Sequence, residues 1–349
     1  MRKTKVCFYP TCENATNHFL ANLARLLCTE GSFECRGFLD MAKAKSAELF
    51  KQDVYHFNWF DQSISFFSFW YRLYILLRLR LAGKKIVWTV HNAIPHGGAP
   101  WYNGILRFLL LRYASVIHIM SEGSRGLQFL KGFESKVRLI PHGDYFDSYP
   151  ESALDVRQKF GIDPDSPLVL FLGAIRPYKN LELLVQNFPA HRATLLICGG
   201  VRPAGYLEEL QKGIAKLDPA VKDKVIFAPG FVPDNELSAY LRAASFLVAP
   251  YSYDSALNSG TVLLACSYGK TVVCPDIAGA QDIQKQADCL YTYHYATAEE
   301  HAVELAKALQ KALDGCESGE ILAKGERALG YMRQNSWQAH SLEWYGLYR

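Results

Sequence analysis

LVLFLGAIRPYKN, residues 168–180, opens a run of four punctuated segments whose reading decides the fold. It is followed by VIFAPGFVPDNEL (225–237), FLVAPYSYDSALNSGTVLLACSYGKTVVCPD (246–276) and a closing IAG (277–279). In the first segment an unbroken apolar run ends at Gly173, as a buried strand does. Arg176 and Lys179 then stand at the mouth of a helix. In the third, a strand ends at Pro250, a polar loop follows, and Ser259-Gly260-Thr261 opens the next helix. Two cations facing one helix N-terminus make a pyrophosphate site.

Working outward, the first half alternates short strands with helical runs. Strands are expected at Lys3–Tyr9, Val54–Phe57, Lys85–His91, Ser115–Met120 and Lys136–Pro141, and NHFLANLARLLC (17–28) repeats apolar residues at helical spacing. Such alternation predicts an α/β architecture, a parallel sheet with helices on both faces and ligands at the carboxyl ends of its strands. From Asp144 to Pro167 the chain is polar and broken by Pro150, Gly161 and Pro164, the pattern of an interdomain connection carrying a short helix. A second strand–helix series runs from Leu168 to about Tyr295, and the tail is helical, with an aromatic end, NSWQAHSLEWYGLYR.

A chain of 349 residues can hold two full cores. Its net charge of +4 suits an anionic ligand or a membrane surface and predicts no nucleic-acid partner. Nine scattered cysteines lack a CxxC pair and a zinc spacing, which favours a reducing cytoplasm over a disulfide framework. The N-terminus, MRKTKVCFYP, has no signal-peptide apolar region, and no stretch reaches the roughly 18 apolar residues of a membrane span.

Each candidate group has an ordinary reading beside the functional one. Basic residues after a strand are often solvated, yet Arg176 and Lys179 follow a glycine turn and straddle Pro177. Asn258-Ser259-Gly260-Thr261 reads as an N-cap, which is compatible with phosphate binding because a cap leaves N–H groups free. Gly230 and Phe231 follow a strand, where backbone groups could read a base under an apolar cover, or simply start a helix at Asp234. His91-Asn92 ends a strand before a loop containing His96, and His142-Gly143-Asp144 ends another; metal spacing is weak in both. SISFFSFWYRLYILLRLRLAGKK (63–85) reads either as a core helix with snorkelling arginines or as an interfacial helix on anionic lipid.

Taken in order, WTVHNAIPH, IPHGDY, LGAIRPYKN, GFVPDNEL, SGTVLLACSYGKTVVCPDIAG and the NSWQAHSLEWY tail resemble the GT-B glycosyltransferases, particularly the family-four-like bacterial sugar transferases. The resemblance covers nearly the whole chain. It implies two Rossmann-like doubly wound domains facing a central cleft: an acceptor domain over 1–150, with a C-terminal helix over 330–349 packing back on it, and a nucleotide-sugar domain over 151–329. It further implies that Arg176 and Lys179 hold the donor diphosphate and that Gly173, Ser259, Gly260 and Thr261 line its phosphates. Phe231 and Val232 would lie near the base, and His91 near the transferred sugar. No metal and no cofactor beyond the nucleotide-sugar donor are implied. One departure stands out: the family's Glu-x7-Glu positions are Ala256 and Leu264 here, leaving Asp254 and Asn258 as replacement polar groups.

The expected activity is sugar transfer from a UDP- or GDP-linked donor to a saccharide or polyprenyl-linked acceptor. The setting is bacterial surface polysaccharide or glycolipid synthesis, in the cytoplasm or at the inner face of the membrane through Phe66–Lys85. An inverting reaction needs a base, for which His18, His91, Glu122 and Asp144 are candidates; a retaining one lets the diphosphate take the proton. A degenerate nucleotide- or lipid-binding protein and a sugar-nucleotide epimerase share the fold and stay open as alternatives.

Overall fold

The computed structural model describes residues 2–12, 18–44, 47–93, 100–253 and 257–349. They form two compact units, Met1–Gly143 with Asn335–Arg349, and Asp144–Gln334.

The first unit is built on β1 (Thr4–Tyr9), β2 (Phe33–Gly37), β3 (Val54–Asn58), β4 (Lys85–Thr89), β5 (Val116–Ile119) and β6 (Val137–Leu139). All pair in parallel, in the order β2-β1-β3-β4-β5-β6. The order reverses between β1 and β3, so the ends at Tyr9 and Asn58 flank the point where such sheets open a crevice. The helix His18–Glu30 buries Phe19, Leu20, Leu23, Leu26 and Leu27, one apolar face. Edge strand β2, FECRG, is not among the expected strands: only its Phe33 and Gly37 are buried, so it lacks the apolar run that marks the others.

The tail departs from the single helix expected over 330–349. Glu320–Gln334 is one helix, in the second unit, and Ser341–Tyr348 another, in the first. Between them Ser336 Oγ accepts from the Ala339 amide (3.2 Å), a local side-chain bond that competes with helical pairing. Trp337, Trp344 and Tyr348 then enter the same core as Val6, Phe8, Phe19 and Val87. A Cβ on Gly143 would overlap the Trp337 indole, so that close approach needs glycine.

A buried chain of hydrogen bonds ties this tail to the sheet. His118 Nε2 donates to the Ile140 carbonyl (2.9 Å), which fixes the direction of every further link. The Thr89 hydroxyl must donate to His118 Nδ1 (3.0 Å) and accept from His56 Nε2 (2.6 Å). His56 Nδ1 then accepts from the Tyr348 hydroxyl (2.7 Å). These directions hold because burial keeps both imidazoles neutral. Burial pushes the His118 pKa down to about 4, with His142 adding to the effect. Burial and His118 hold His56 well below its ordinary value.

The second unit carries β7 (Leu168–Leu172), β8 (Thr194–Gly199), β9 (Val225–Pro229), β10 (Phe246–Val248), β11 (Val272–Pro275) and β12 (Tyr291–Tyr293). The order is β12-β11-β10-β7-β8-β9, again all parallel. This is the strand order of dinucleotide-binding sheets, with its switch point between β7 and β10. Every residue of β7, β8, β10 and β11 is buried, as expected of strands covered on both faces. The unit begins at Asp144 rather than at 151, because Tyr145, Phe146 and Tyr149 pack into this core. The connection's short helix is Val156–Phe160, capped by Asp155 and ended by Gly161.

Two outcomes follow for stability. Tyr348→Phe removes the donor to buried His56 Nδ1 and should cost about 1–3 kcal/mol in urea unfolding. Because His56 and His118 have lowered folded pKa values, the unfolded chain takes up protons first, from about pH 6.5 downward. His118's contribution to stability is thus full above about pH 6.5 and falls between there and about pH 4, by roughly 1.4 kcal/mol per pH unit, and His56 adds a loss in the same direction. His118→Gln keeps one donor and one acceptor without titrating. Its unfolding midpoint should fall less steeply with acid than that of the parent.

Candidate functional site

The loop after β7 is fixed by backbone geometry before any side chain enters. Gly173 leaves the strand at φ +121°, a conformation that favours glycine, and a Cβ on Gly199 would overlap the Gly173 carbonyl. The Ile175 amide donates to the Gly200 carbonyl (2.8 Å), and the Arg202 amide to that of Ile175 (2.9 Å). A short turn, Pro177–Lys179, ends at Asn180, itself at φ +52°. Asn180 Nδ2 donates to the Pro250 carbonyl (2.8 Å) and Ser252 Oγ (3.1 Å), while the Ser252 amide donates to the Tyr178 carbonyl (2.9 Å). The loops after β7 and β10 are thereby stitched together across the switch point.

This stitching turns Lys179 inward. Its ammonium lies 3.2 Å from the Tyr251 hydroxyl and over the rings of Tyr251 and Phe171. The residue is only 7 % exposed and, among the described residues, has no carboxylate partner. A Cβ placed on Gly173 would sit 3.5 Å from Lys179 Nζ and 3.4 Å from Thr261 Oγ1, so ammonium and hydroxyl converge on that glycine. Thr261 lies in the first turn of the helix Gly260–Ser267, where Ser259 Oγ caps the Val262 amide (3.3 Å). The turn's leading amides carry the positive end of the helix dipole. Arg176 is half-buried at the start of the Pro177–Lys179 turn, and its guanidinium makes no hydrogen bond or ion pair among the described residues. A buried ammonium without an acid is costly unless an anion completes it.

The closing IAG packs against the same helix entrance. The Gly279 amide donates to the Leu257 carbonyl (2.9 Å), and a Cβ there would collide with Asn258 Oδ1. Asn258 Nδ2 is buried without a partner among the described residues. A Cβ on Gly260 would come within 3.2 Å of the Tyr145 hydroxyl. Past β9, Phe231 is 73 % exposed whereas Val232 is packed in the core, so only Phe231 offers a free face. Asp254 and Ala256 lie outside the described residues. Leu264 is a core residue.

In the first unit His91 follows β4. Asn58 Nδ2 donates to the Tyr9 carbonyl (3.2 Å), which turns its Oδ1 to His91 Nε2 at 2.8 Å. The His91 proton therefore sits on Nε2 and Nδ1 keeps its lone pair. Trp59, at φ +53°, stacks on the imidazole at 4.0 Å and 19°. Burial, with His118, His142 and His56 nearby, holds the His91 pKa well below its ordinary value. His142 shares the Phe19 ring with His91 and faces the Gly143 carbonyl (2.7 Å). Glu122 is exposed and paired with Arg125, while Asp144 Oδ1 accepts from the Phe146 amide in a local turn. His18 begins the helix His18–Glu30, and His96 lies outside the described residues.

Asn58, Trp59, Asn180 and Tyr251 are absent from the candidates read in the sequence. The Asn58-Trp59 pair directly after VYHF was the available signal for the first two. Tyr251 and Asn180 gain their roles only when two distant loops meet.

Residues 166–315 match the family profile described as Glycosyl transferases group 1. An uncharacterized glycosyltransferase of Methanocaldococcus jannaschii is 30% identical over 163 residues, 44% of this chain and 39% of that protein. A D-inositol 3-phosphate glycosyltransferase of Frankia alni is 29% identical over 163 residues, 40% of each chain. GDP-mannose:glycolipid 4-beta-D-mannosyltransferase of Xanthomonas campestris pv. campestris is 27% identical over 205 residues, 58% of this chain and 53% of that one. The chain thus spans about two-fifths to half the length of these relatives. Among solved structures, sucrose-phosphate synthase from Thermosynechococcus elongatus aligns with a TM-score of 0.76 at 18% identity, covering 100% of this chain and 98% of that one. Anabaena HepE in complex with UDP-glucose aligns with a TM-score of 0.72 at 15% identity, covering 98% of both. With the fold matched along its full length, the chain has the GT-B fold, and its residues 166–315 are similar to the group 1 glycosyl transferases.

Proposed function

We propose that the chain transfers a sugar from a UDP- or GDP-linked donor to a saccharide or polyprenyl-linked acceptor in surface polysaccharide or glycolipid synthesis. The observation that carries this reading is Lys179, a buried cation without an acid among the described residues, held beside Gly173 and Thr261. A diphosphate supplies the missing charge. Likeness to a HepE structure holding UDP-glucose supports the donor class, and relatives named for GDP-mannose with glycolipid and for lipopolysaccharide support the acceptor class.

In this reading the bond between the sugar's anomeric carbon and the β-phosphate oxygen breaks as the acceptor oxygen attacks. Negative charge grows on the departing diphosphate, where Arg176, Lys179 and the Gly260–Ser267 dipole stabilise it. Ser259, Gly260 and Thr261 line the phosphates, Asn258 Nδ2 supplies a further donor, and Phe231 covers the base. His91 acts on the acceptor side, with Nδ1 receiving a proton or a hydroxyl hydrogen bond. Asp254, with Asn258, takes over polar contacts to the donor that the family's two carboxylates would make. These cations do the work that a divalent ion does in other transferases, so we assign the reaction no metal.

The nine free cysteines suit a cytoplasmic setting. Among the described residues no helix is long and apolar enough to cross a membrane. A second reading, nucleotide binding without transfer, draws on Leu264: a core leucine occupies the position of the family's second carboxylate.

Calorimetric titration with UDP, GDP, ADP and CMP, with and without EDTA, tests the donor site. One nucleoside diphosphate should bind selectively and unchanged by EDTA. Arg176→Ala and Lys179→Ala should each weaken it by about tenfold or more, the loss of one charge-assisted contact. Unchanged affinity in both variants would overturn the assignment. Binding without sugar transfer to any lipid-linked acceptor would favour the second reading.

A further inference from the structure

The first unit presents two helices whose outward faces are apolar. Phe66–Leu81 starts at the Ser65 cap and turns Phe69, Arg72, Ile75, Leu76 and Leu79 into the unit. Its opposite face exposes Phe67, Trp70, Tyr71, Tyr74 and Leu81, where an ordinary surface helix places polar residues. Trp101–Tyr113 does the same: Trp101, Ile105 and Phe108 recur at helical spacing on an exposed stripe that ends in Arg112. The two helices lie side by side and run the same way. Tyr102 meets Phe66 and Phe69 at one end (6.2 and 5.2 Å between ring centres), and Arg80 lies over the Tyr113 ring (6.0 Å) at the other.

Charge is sorted along this pair. No Asp or Glu occurs between Asp61 and Glu122, a stretch that carries seven Lys and Arg residues. Two of the seven serve the interior. Arg72 donates to the Trp59 and Phe60 carbonyls and the Tyr9 hydroxyl, and Arg107 pairs with Asp61. Arg78, Arg80 and Arg112 stay exposed near the carboxyl ends of the helices and have no acidic partner among the described residues. Lys136 adds its ammonium there by donating to the Leu111 and Arg112 carbonyls (3.1 and 2.9 Å).

We propose that this two-helix face docks on an anionic lipid bilayer, with its aromatic stripe in the headgroup–acyl boundary and its arginine end on the lipid phosphates. The residue types match that boundary, since Trp and Tyr settle at the interface and cations gain from anionic headgroups. Neither helix is long and apolar enough to span, so the face lies on the bilayer. The inference widens the segment expected from sequence, Phe66–Lys85, by a second helix and removes Arg72 from the lipid-facing set. It does not depend on the donor chemistry.

Flotation with vesicles of phosphatidylcholine alone, or with about 30% phosphatidylglycerol, tests it on the full chain. The chain should float with the anionic vesicles and much less with the neutral ones. Arg80→Gln with Arg112→Gln should weaken binding about 5-fold per charge removed. Trp101→Ser with Phe108→Ser should weaken it by more than about tenfold. Thermal unfolding midpoints should match the parent, because all four side chains are exposed. Equal flotation with both vesicle types, no flotation, or flotation insensitive to both double variants would overturn the proposal. So would a dimer in analytical ultracentrifugation that Trp101→Ser with Phe108→Ser dissociates, since the face would then belong to a second copy.

Discussion

Parallel strands impose one constraint on which everything else here depends: every strand must end on the same edge, and every crossover helix must begin there. Backbone amides at helix starts and the loops that follow the strands are thus gathered along one rim of each sheet. Where the strand order reverses, neighbouring crossovers depart to opposite faces and leave that rim open. In the second unit the reversal falls between β7 and β10. Thr261 meets Gly173 and Lys179 there although it comes from a different strand–helix crossover.

The same rim explains how a lysine can be buried without an acid. Asn180 and Ser252 bond the two loops to each other, and the closed backbone, not a carboxylate, holds Lys179 in place. Its charge has no acidic partner among the described residues. In the first unit the corresponding rim is arranged oppositely: Asn58, Trp59 and burial keep His91 neutral, with no hydrogen bond to Nδ1 among the described residues. The second unit's rim thus concentrates positive charge, while the first unit's keeps its histidine neutral.

How much was legible in advance follows from what each element buries. Strands β7, β10 and β11 are apolar throughout because both faces are covered, so their segments announce themselves. Edge strand β2 is half polar and does not. Arg176, Lys179 and Thr261 stood out by residue type and position after a strand. The burial of Lys179 did not, since it follows from two loops meeting. Trp59 at positive φ was beyond sequence reasoning, because no propensity assigns that conformation to tryptophan. The tail was read as one helix because its aromatic run is continuous in character, whereas Asn335 and Ser336 interrupt it.

The bond from Tyr348 to His56 spans nearly the whole chain, and it sets an order of assembly. Domains generally fold as units while the chain is being made, the N-terminal one first. Here the first unit's core lacks Trp337, Trp344 and Tyr348 until the chain beyond Ser336 has been made, whereas Asp144–Gln334 is contiguous in sequence. Synthesis therefore runs against folding: the half that leaves the ribosome first is completed last, with its imidazoles waiting in an unfinished core for a tyrosine some 290 residues away.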